Sequence, residues 1–171
     1  ELCKREGRGL NCRFLAQVLS EMYLAMGFPS RFVTCQSKAY DTDTDCHVIN
    51  MVWSRQLGKW IWMDASFAAY VTDENGLLLH PGEVRERLIK GLPLVLNEDA
   101  NWNHKTKQTK EGYLENYMAK NLYMLDAHLE SRFETEPADG SGSPRMYLVP
   151  EGFWPLSGHT TYDDRYFWQA P

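Results

Sequence analysis

The chain has 171 residues, of which 43% are hydrophobic and 24% charged, a composition that suits one globular domain with a full core. The formal net charge is -5 and the basic residues form no runs, which argues against a nucleic-acid-binding surface. No stretch of the sequence reaches the roughly 18 consecutive apolar residues of a membrane-spanning helix.

The start of the chain lacks a methionine and leads almost at once into an apolar pattern. We therefore interpret residues 1–171 as a single domain that is a piece of a longer protein. Any targeting segment, and some elements of the fold, would then lie upstream of Glu1. The cellular compartment is left open for the same reason, with an extracytoplasmic location weakly favoured.

An amphipathic helix of about 14 residues is predicted to begin near Cys12. Its apolar positions follow the i, i+3, i+4, i+7 spacing that favours a wide buried stripe. Gly27 stands where a helix usually ends, and Pro29 prevents its resumption. A thiol in the first turn lies at the positive end of the helix dipole, which lowers its pKa and favours the thiolate. The apolar positions are Phe14, Leu15, Val18, Leu19, Met22, Tyr23 and Met26.

Three β-strands are predicted after this helix, over residues 31–36, 46–53 and 60–64. The loop between the first two is rich in aspartate and is expected to lie in solvent. A turn at 57–59 joins the second strand to the third. The pattern favours an antiparallel meander against which the helix packs.

The middle of the chain alternates turn signals with short apolar runs. Asn75-Gly76 forms the centre of a predicted turn, and a short helix is predicted to begin at His80-Pro81 and to end at Gly91. The polar residues 97–110 are predicted to be irregular.

A longer helix is predicted from about Lys110 to Phe133. The Gly- and Ser-rich residues 137–144 are predicted to form a flexible loop. The tail, residues 146–168, is β-prone and aromatic, and we expect it to dock on the same domain. The apolar face of the predicted helix is formed by Tyr113, Leu114, Tyr117, Met118, Leu122, Leu125 and Leu129.

Cys12, His47 and Asp64 can together form a nucleophile, a base and an orienting acid. In an antiparallel pair the start of one strand lies beside the end of its neighbour, so His47 and Asp64 can face each other across 17 residues of sequence. The register of the strands decides whether their side chains share a face, and the sequence does not settle it.

Metal and cofactor sites are not expected. The four cysteines, at positions 3, 12, 35 and 46, include no C-x-x-C pair, which argues against structural zinc. Cys35 and Cys46 can form a disulfide across a hairpin or remain buried thiols, and we favour the thiols. The acidic loop at 41–45 lacks the glycine and the later glutamate of a calcium-binding EF-hand.

Three segments occur in a recognisable order. Residues 11–16 read Asn-Cys-Arg-Phe-Leu-Ala and run on to a Gly-Phe-Pro-Ser-Arg turn at 27–31; residues 46–52 begin Cys-His; residues 59–64 read Lys-Trp-Ile-Trp-Met-Asp. They resemble the nucleophile helix, the His-led strand and the Trp-x-x-x-Asp strand of the transglutaminase-like superfamily. The resemblance covers about residues 9–70.

The resemblance implies a papain-like α+β fold, with a nucleophile helix packed on an antiparallel sheet. It implies that Cys12 is the nucleophile, that His47 is the general base and acid, and that Asp64 orients the histidine. Arg13 stands where many members have an aromatic residue, and Ala65 where many have proline. The backbone N–H of Cys12 is the default donor to an oxyanion, and no side chain is assigned to that role.

Two functions from different classes follow. The first is cysteine-dependent acyl transfer on a peptide, protein or small amide substrate, through a thioester on Cys12 and without a cofactor. Water would resolve the thioester in a peptidase or amidase, which we favour, and an amine would resolve it in a transglutaminase-like enzyme. The alternative is a non-catalytic binding or structural module of a larger protein that retains the fold.

Overall fold

The elements that carry the resemblance fold as the sequence predicts. A computed structural model describes residues 9–130, 144–153 and 159–171 of the chain. Helix α1 (Cys12–Ala25) is followed by strands β1 (Ser30–Gln36), β2 (Cys46–Ser54) and β3 (Lys59–Met63). The helix and the antiparallel meander are confirmed, with boundaries that differ from the prediction by about one residue.

Short elements follow β3 before the chain returns to the sheet. The predicted turn at Asn75-Gly76 and the predicted helix from Pro81 are both present, with His80 as the N-terminal cap and Gly91 in the left-handed region at φ +63°. The elements are β4 (Val71–Thr72), α2 (Pro81–Lys90), β5 (Val95–Leu96), β6 (Asn101–Trp102), β7 (Thr106–Lys107), a π-helix (Glu111–Met118), α3 (Ala119–Asn121), β8 (Met124–His128), β9 (Arg145–Leu148), β10 (His159–Thr161) and α4 (Asp164–Phe167).

The main sheet has six strands in the order β10-β9-β8-β1-β2-β3. Neighbouring strands are antiparallel except for β9 and β10, which are parallel, so the sheet is mixed rather than wholly antiparallel. The fold is therefore of the α+β class, with the predicted meander forming half of a larger sheet.

The register of the meander determines which side chains share a face. Cys35 pairs with His47, and Met51 pairs with Trp62. Because alternate residues of a strand point to the same side, His47 shares a face with Met51, and Asp64, two residues after Trp62, continues along that face. This face bears the hydrophobic core, in which Trp62 and Met51 are fully buried.

Helix α1 packs closely on the opposite face of the sheet through small residues. Ala16 and Ser20 are buried, the Asn50 side chain donates to the Ala16 carbonyl at 2.5 Å, and the Ser20 hydroxyl lies 3.1 Å from that of Ser30. The prediction of a wide buried stripe is wrong, because the helix buries Ala16 and Ser20 instead, and of the predicted stripe Leu15, Leu19 and Tyr23 are only half-buried. Exposed members of the stripe are Phe14, Val18, Met22 and Met26.

The helix predicted from Lys110 to Phe133 is wrong in its second half. The π-helix and the short α3 that continues it end at Asn121, and the chain then forms β8, whose Leu125 pairs with Cys35 of β1. Residues 124–127 are all buried, since the strand lies inside the sheet. A short apolar run of this kind has no periodicity that distinguishes a buried strand from a helix, and the free edge of β1 decides the outcome.

The prediction that residues 97–110 are irregular is also wrong, because β6 and β7 form a hairpin there. Its two turn residues, Asn103 and His104, both have positive φ, at +52° and +56°. Such a pair is typical of the tight turns that join antiparallel strands.

The C-terminal tail packs against the core. Arg31 donates to the carbonyl of Phe167 at 2.7 Å, and the indole of Trp60 donates to the carbonyl of Gln169 at 3.0 Å. The predicted flexible loop at 137–144 lies, except for Pro144, outside the described residues. In the described part of the chain no helix is long and apolar enough to cross a membrane.

Candidate active site

Cys12 begins helix α1 at one end of the sheet. The side chain of Asn11 caps the helix by accepting a hydrogen bond from the backbone N–H of Phe14 at 3.0 Å. No acidic residue occupies the first turn, so nothing there counters the positive end of the helix dipole. Cys12 is partly exposed and lines a cavity, so its sulfur is accessible to a small reactant.

His47 and Asp64 form a buried pair. The Nε2 atom of His47 lies 2.6 Å from Oδ2 of Asp64, and each residue is only 2% exposed. Because Nε2 is engaged by the carboxylate, Nδ1 is the nitrogen left for Cys12, and Cys12 and His47 line the same cleft. The structure thus brings the three predicted site residues together, with Cys12 and His47 at the cleft and Asp64 bound to His47.

The Asp64 carboxylate is held on both oxygens. Its Oδ1 accepts hydrogen bonds from the backbone N–H groups of Ser66 at 2.9 Å and Phe67 at 3.2 Å. Its Oδ2 accepts from the hydroxyl of Tyr113 at 2.6 Å as well as facing His47. A buried carboxylate with this number of donors is stabilised as an anion and cannot rotate freely.

The loop after β3 supplies the backbone donors. Asp64 and Ala69 exchange two backbone hydrogen bonds, at 2.8 and 3.0 Å, which close a tight loop. Ala68, inside it, has a φ of +46°, in the left-handed region that few residues other than glycine adopt. The loop aims the N–H groups of Ser66 and Phe67 at the carboxylate.

The π-helix supplies two aromatic residues that the sequence analysis assigned only to an apolar face. Tyr113 is fully buried and binds Asp64, while the ring of Tyr117 packs edge-on against His47 with centroids 5.5 Å apart. Phe67 makes a similar edge contact with His47 at 5.2 Å. The signal that could have identified Tyr113 is its hydroxyl, because a buried tyrosine normally requires a hydrogen-bond partner.

The electrostatics of the site favour a thiolate and an imidazolium. Burial raises the pKa of Cys12, but the hydrogen bond and charge of His47, with the N–H groups of Val48 and Arg13, outweigh it and bring that pKa below its usual value. Burial lowers the pKa of His47, but Asp64 and Cys12 outweigh it and raise that pKa to about 9. Both shifts favour the thiolate–imidazolium pair over the neutral thiol and imidazole.

The cleft in front of Cys12 has a volume of about 200 Å³. A larger cavity of about 560 Å³ lies elsewhere, between α2 and the residues that follow the π-helix, and none of the three site residues lines it. We assign the chemistry to the smaller cleft, because the thiol and the imidazole meet there. It is lined by Leu10, Asn11, Cys12, His47, Ser66, Phe67, Trp102, Asn103 and Tyr117.

The other candidate ligands and nucleophiles lie apart from this cleft. Cys35 and Cys46 are free thiols, the first buried and the second partly exposed. Asp43 and Asp45 both form ion pairs with Lys120. Among the described residues no group of three or more His, Cys, Asp or Glu side chains is placed to hold a metal ion.

Comparison with known families finds a match in the first part of the chain. Residues 1–65 match the model of the Transglutaminase-like superfamily. The match confirms the family resemblance over the segment that contains Cys12, His47 and Asp64, whereas Tyr113, Trp102 and their neighbours lie beyond it. The comparisons with curated proteins and with solved structures found no match.

Proposed function

We propose that this chain, whose residues 1–65 carry the core of the transglutaminase-like superfamily, is a cysteine-dependent enzyme that transfers acyl groups from amide bonds. The observation that carries the proposal is that Cys12 and His47 line one cleft, while His47 forms a 2.6 Å hydrogen bond with the buried Asp64 carboxylate. A cysteine beside a histidine, with a carboxylate that orients the histidine, is an arrangement that activates a nucleophile.

In the first step the Cys12 thiolate attacks the carbonyl carbon of the amide. A carbon–sulfur bond forms and the carbonyl electron pair moves to oxygen, where the backbone N–H of Cys12 is our proposed donor to the oxyanion. As the tetrahedral intermediate collapses, the carbon–nitrogen bond breaks and the imidazolium of His47 gives its proton to the departing amine. A thioester on Cys12 remains.

In the second step a nucleophile resolves the thioester. The now neutral His47 takes a proton from water or from an amine as that molecule attacks the thioester carbonyl. The Cys12 thiolate then leaves and again forms an ion pair with the imidazolium. Water yields a carboxylic acid, as in a peptidase or amidase, and an amine yields a new amide. We favour water as the acceptor.

Asp64 is proposed to orient His47 rather than to accept its proton. Two backbone donors and the Tyr113 hydroxyl stabilise its negative charge, so transfer of the imidazole proton to it is unfavourable. The non-catalytic alternative remains a prediction from the sequence. The accessible position of Cys12 at the cleft supports the enzyme in preference to it.

Trapping of the thioester tests the proposal. The protein is mixed with a pool of short peptide amides and quenched in acid, and intact-mass spectrometry and peptide mapping locate any acyl adduct. We expect an adduct on Cys12 that is lost in Cys12→Ala and retained in Cys46→Ala, which removes the neighbouring free thiol. Adducts distributed equally over Cys12 and Cys46 would contradict the proposal, as would the absence of any adduct together with an ordinary thiol reactivity of Cys12.

A further inference from the structure

The cleft in front of Cys12 is small and neutral apart from the Cys12–His47 pair. Sites that hold a whole drug-sized ligand have volumes of about 300–1,000 Å³, so a cleft of about 200 Å³ admits a single group of side-chain size. The other lining residues contribute only amide, hydroxyl, aliphatic and aromatic groups. An ionised side chain that entered this cleft would lose hydration, and the lining residues other than the reacting Cys12–His47 pair offer it no opposite charge.

Trp102 forms one wall of the cleft and leaves much of its ring uncovered. Its side chain is 48% exposed, although tryptophan is usually well buried in a folded protein. The ring does not belong to the hydrophobic core cluster. Its place in the cleft therefore has no explanation in core packing.

The hairpin that carries Trp102 is held rigidly at the site. The turn closes through a 3.0 Å hydrogen bond from the N–H of Lys105 to the carbonyl of Trp102. Backbone N–H groups of Asn101 and Asn103 donate to the carbonyls of Phe67 at 2.7 Å and Ser66 at 3.1 Å. These bonds hold the hairpin against the loop at residues 64–69, whose N–H groups bind Asp64. The position of the Trp102 indole is therefore fixed relative to the catalytic residues proposed above.

A polar group in the same cleft lacks a partner. The hydroxyl of Ser66 is buried, and within the described residues it makes no hydrogen bond. Buried hydroxyl groups are normally paired. Together with the side chain of Asn103, which also lines the cleft, Ser66 offers hydrogen bonds to an amide while Trp102 offers a flat apolar surface.

We propose that Trp102 determines specificity, and that the substrates are peptide amides whose side chain next to the scissile carbonyl is uncharged and either aromatic or aliphatic. This inference rests on the proposed function, since it names the substrate class of that same cleft. Indole rings pack favourably against aromatic and aliphatic groups, beyond the area that is buried. Charged side chains at this position are disfavoured, because the lining outside the Cys12–His47 pair is neutral.

Peptidyl chloromethyl ketones test the inference without requiring turnover. In this reaction the Cys12 sulfur attacks the methylene carbon, a sulfur–carbon bond forms, and chloride leaves with the electron pair of the carbon–chlorine bond. Four N-acetyl probes that differ only in the side chain, Phe, Leu, Lys and Glu, are compared by the second-order rate constant of Cys12 labelling. Iodoacetamide, which has no such side chain, reports the reactivity of the thiol alone.

We expect the Phe and Leu probes to react faster than the Lys and Glu probes. Trp102→Ala should lower the rate constant of the Phe probe about 2- to 12-fold, the range that a lost aromatic contact of about 0.5–1.5 kcal/mol produces. Trp102→Phe should retain most of that rate. The iodoacetamide rate of each protein is the reference, so the effect of Trp102 is measured as the ratio of the Phe-probe rate to the iodoacetamide rate. Tyr166→Ala, which removes an exposed aromatic side chain on α4, should leave that ratio unchanged.

Two results would overturn the inference. One is a rate constant for the Phe probe that is the same in Trp102→Ala as in the unmodified protein. The other is a Lys or Glu probe that reacts as fast as the Phe probe, and a Lys preference lost in Trp102→Ala would indicate attraction of a cation to the indole instead. An iodoacetamide rate typical of an ordinary thiol would count against the proposed function, whatever the ranking of the probes.

Discussion

At the scale of single residues, Asp64 is the most heavily constrained group of the candidate site. Four donors converge on its two oxygens, if the imidazole of His47 is counted with the two backbone N–H groups and Tyr113. Each donor stabilises the carboxylate anion, and each reduces the electrostatic attraction of Asp64 for the His47 imidazolium. Tyr113 therefore has two effects, since it holds the carboxylate in place and moderates its attraction for the imidazolium.

Replacing Tyr113 with phenylalanine separates these effects. Burial and the Asp64 charge hold the pKa of the Tyr113 hydroxyl well above its usual value, so the group acts as a donor. We expect Tyr113→Phe to raise the pKa of His47 further above about 9, because more of the carboxylate charge then acts on the imidazolium. Loss of a hydrogen bond to a charged group should lower the free energy of unfolding by about 1.5–3 kcal/mol.

NMR titration of the His47 ring and urea unfolding measure these changes. Tyr117→Phe is the matched control, because it alters a tyrosine on the same π-helix that contacts the His47 ring rather than Asp64. If Tyr113→Phe and Tyr117→Phe gave the same His47 pKa and the same stability, Tyr113 would have no particular role in holding Asp64.

Three residues of the site could be predicted from sequence and the others could not, for a physical reason. Cys12, His47 and Asp64 lie within motifs of local sequence. Tyr113 and Trp102 reach the site through tertiary packing of the π-helix and the β6–β7 hairpin, which short-range patterns do not encode. Even for His47 and Asp64 the sequence does not fix the register of their strands. A shift of one residue would have placed the two side chains on opposite faces of the sheet.

At the scale of elements, the first turn of helix α1 links the stability of the helix to the pKa of the Cys12 thiol. Asn11 satisfies one of the N–H groups that the first turn leaves unpaired, and the same turn directs the N–H of Arg13 towards the Cys12 sulfur. A frayed first turn would therefore weaken both the helix and the stabilisation of the thiolate.

Asn11→Ala tests this coupling. Loss of the cap should lower the free energy of unfolding by about 1 kcal/mol and should raise the pKa of Cys12, measured from the pH dependence of alkylation. Asp163→Ala is the matched control, since Asp163 caps helix α4 by accepting from the N–H of Arg165. It should affect stability without altering the Cys12 pKa. An unchanged Cys12 pKa in Asn11→Ala would show that the turn does not tune the thiol.

A helix or strand could be predicted when the residues that determine it lie within its own segment. Helix α1 and helix α2 have caps, terminating glycines and apolar periodicity within their own segments. Strand β8 does not, because its residues are strand-forming only where the edge of β1 is available to pair with them. The exposure of the apolar residues of α1 could not be predicted for a related reason. Periodicity identifies an apolar face without showing how much of it the sheet covers.

At the scale of the whole molecule, the paired ionisation of Cys12 and His47 affects stability as well as reactivity. The raised pKa of His47 contributes stability that is fully present below the unfolded value of about 6.5 and is lost as the pH rises through about 9. The lowered pKa of Cys12 contributes stability that is present above the unfolded value of about 8.5 and is lost as the pH falls through its folded value.

These slopes oppose each other. As the pH rises from about 6.5 towards 8.5, the loss at His47 is opposed by a gain at Cys12 that begins once the pH passes the lowered Cys12 pKa. In Cys12→Ala this gain is absent and the part of the His47 contribution that depends on Asp64 remains, so stability should fall across the interval without that opposing gain. Urea unfolding of both proteins at several pH values measures the difference, which would be absent if Cys12 and His47 titrated independently of folding.

The association of the thiolate with the imidazolium is the central claim, and the pH dependence of Cys12 alkylation tests it most directly. Iodoacetamide labelling, followed at Cys12 by peptide mass spectrometry, should remain fast well below the ordinary thiol pKa of about 8.5, and His47→Ala should abolish that behaviour. A Cys12 rate that instead rises about tenfold per pH unit up to about 8.5, and is unchanged in His47→Ala, would contradict the claim.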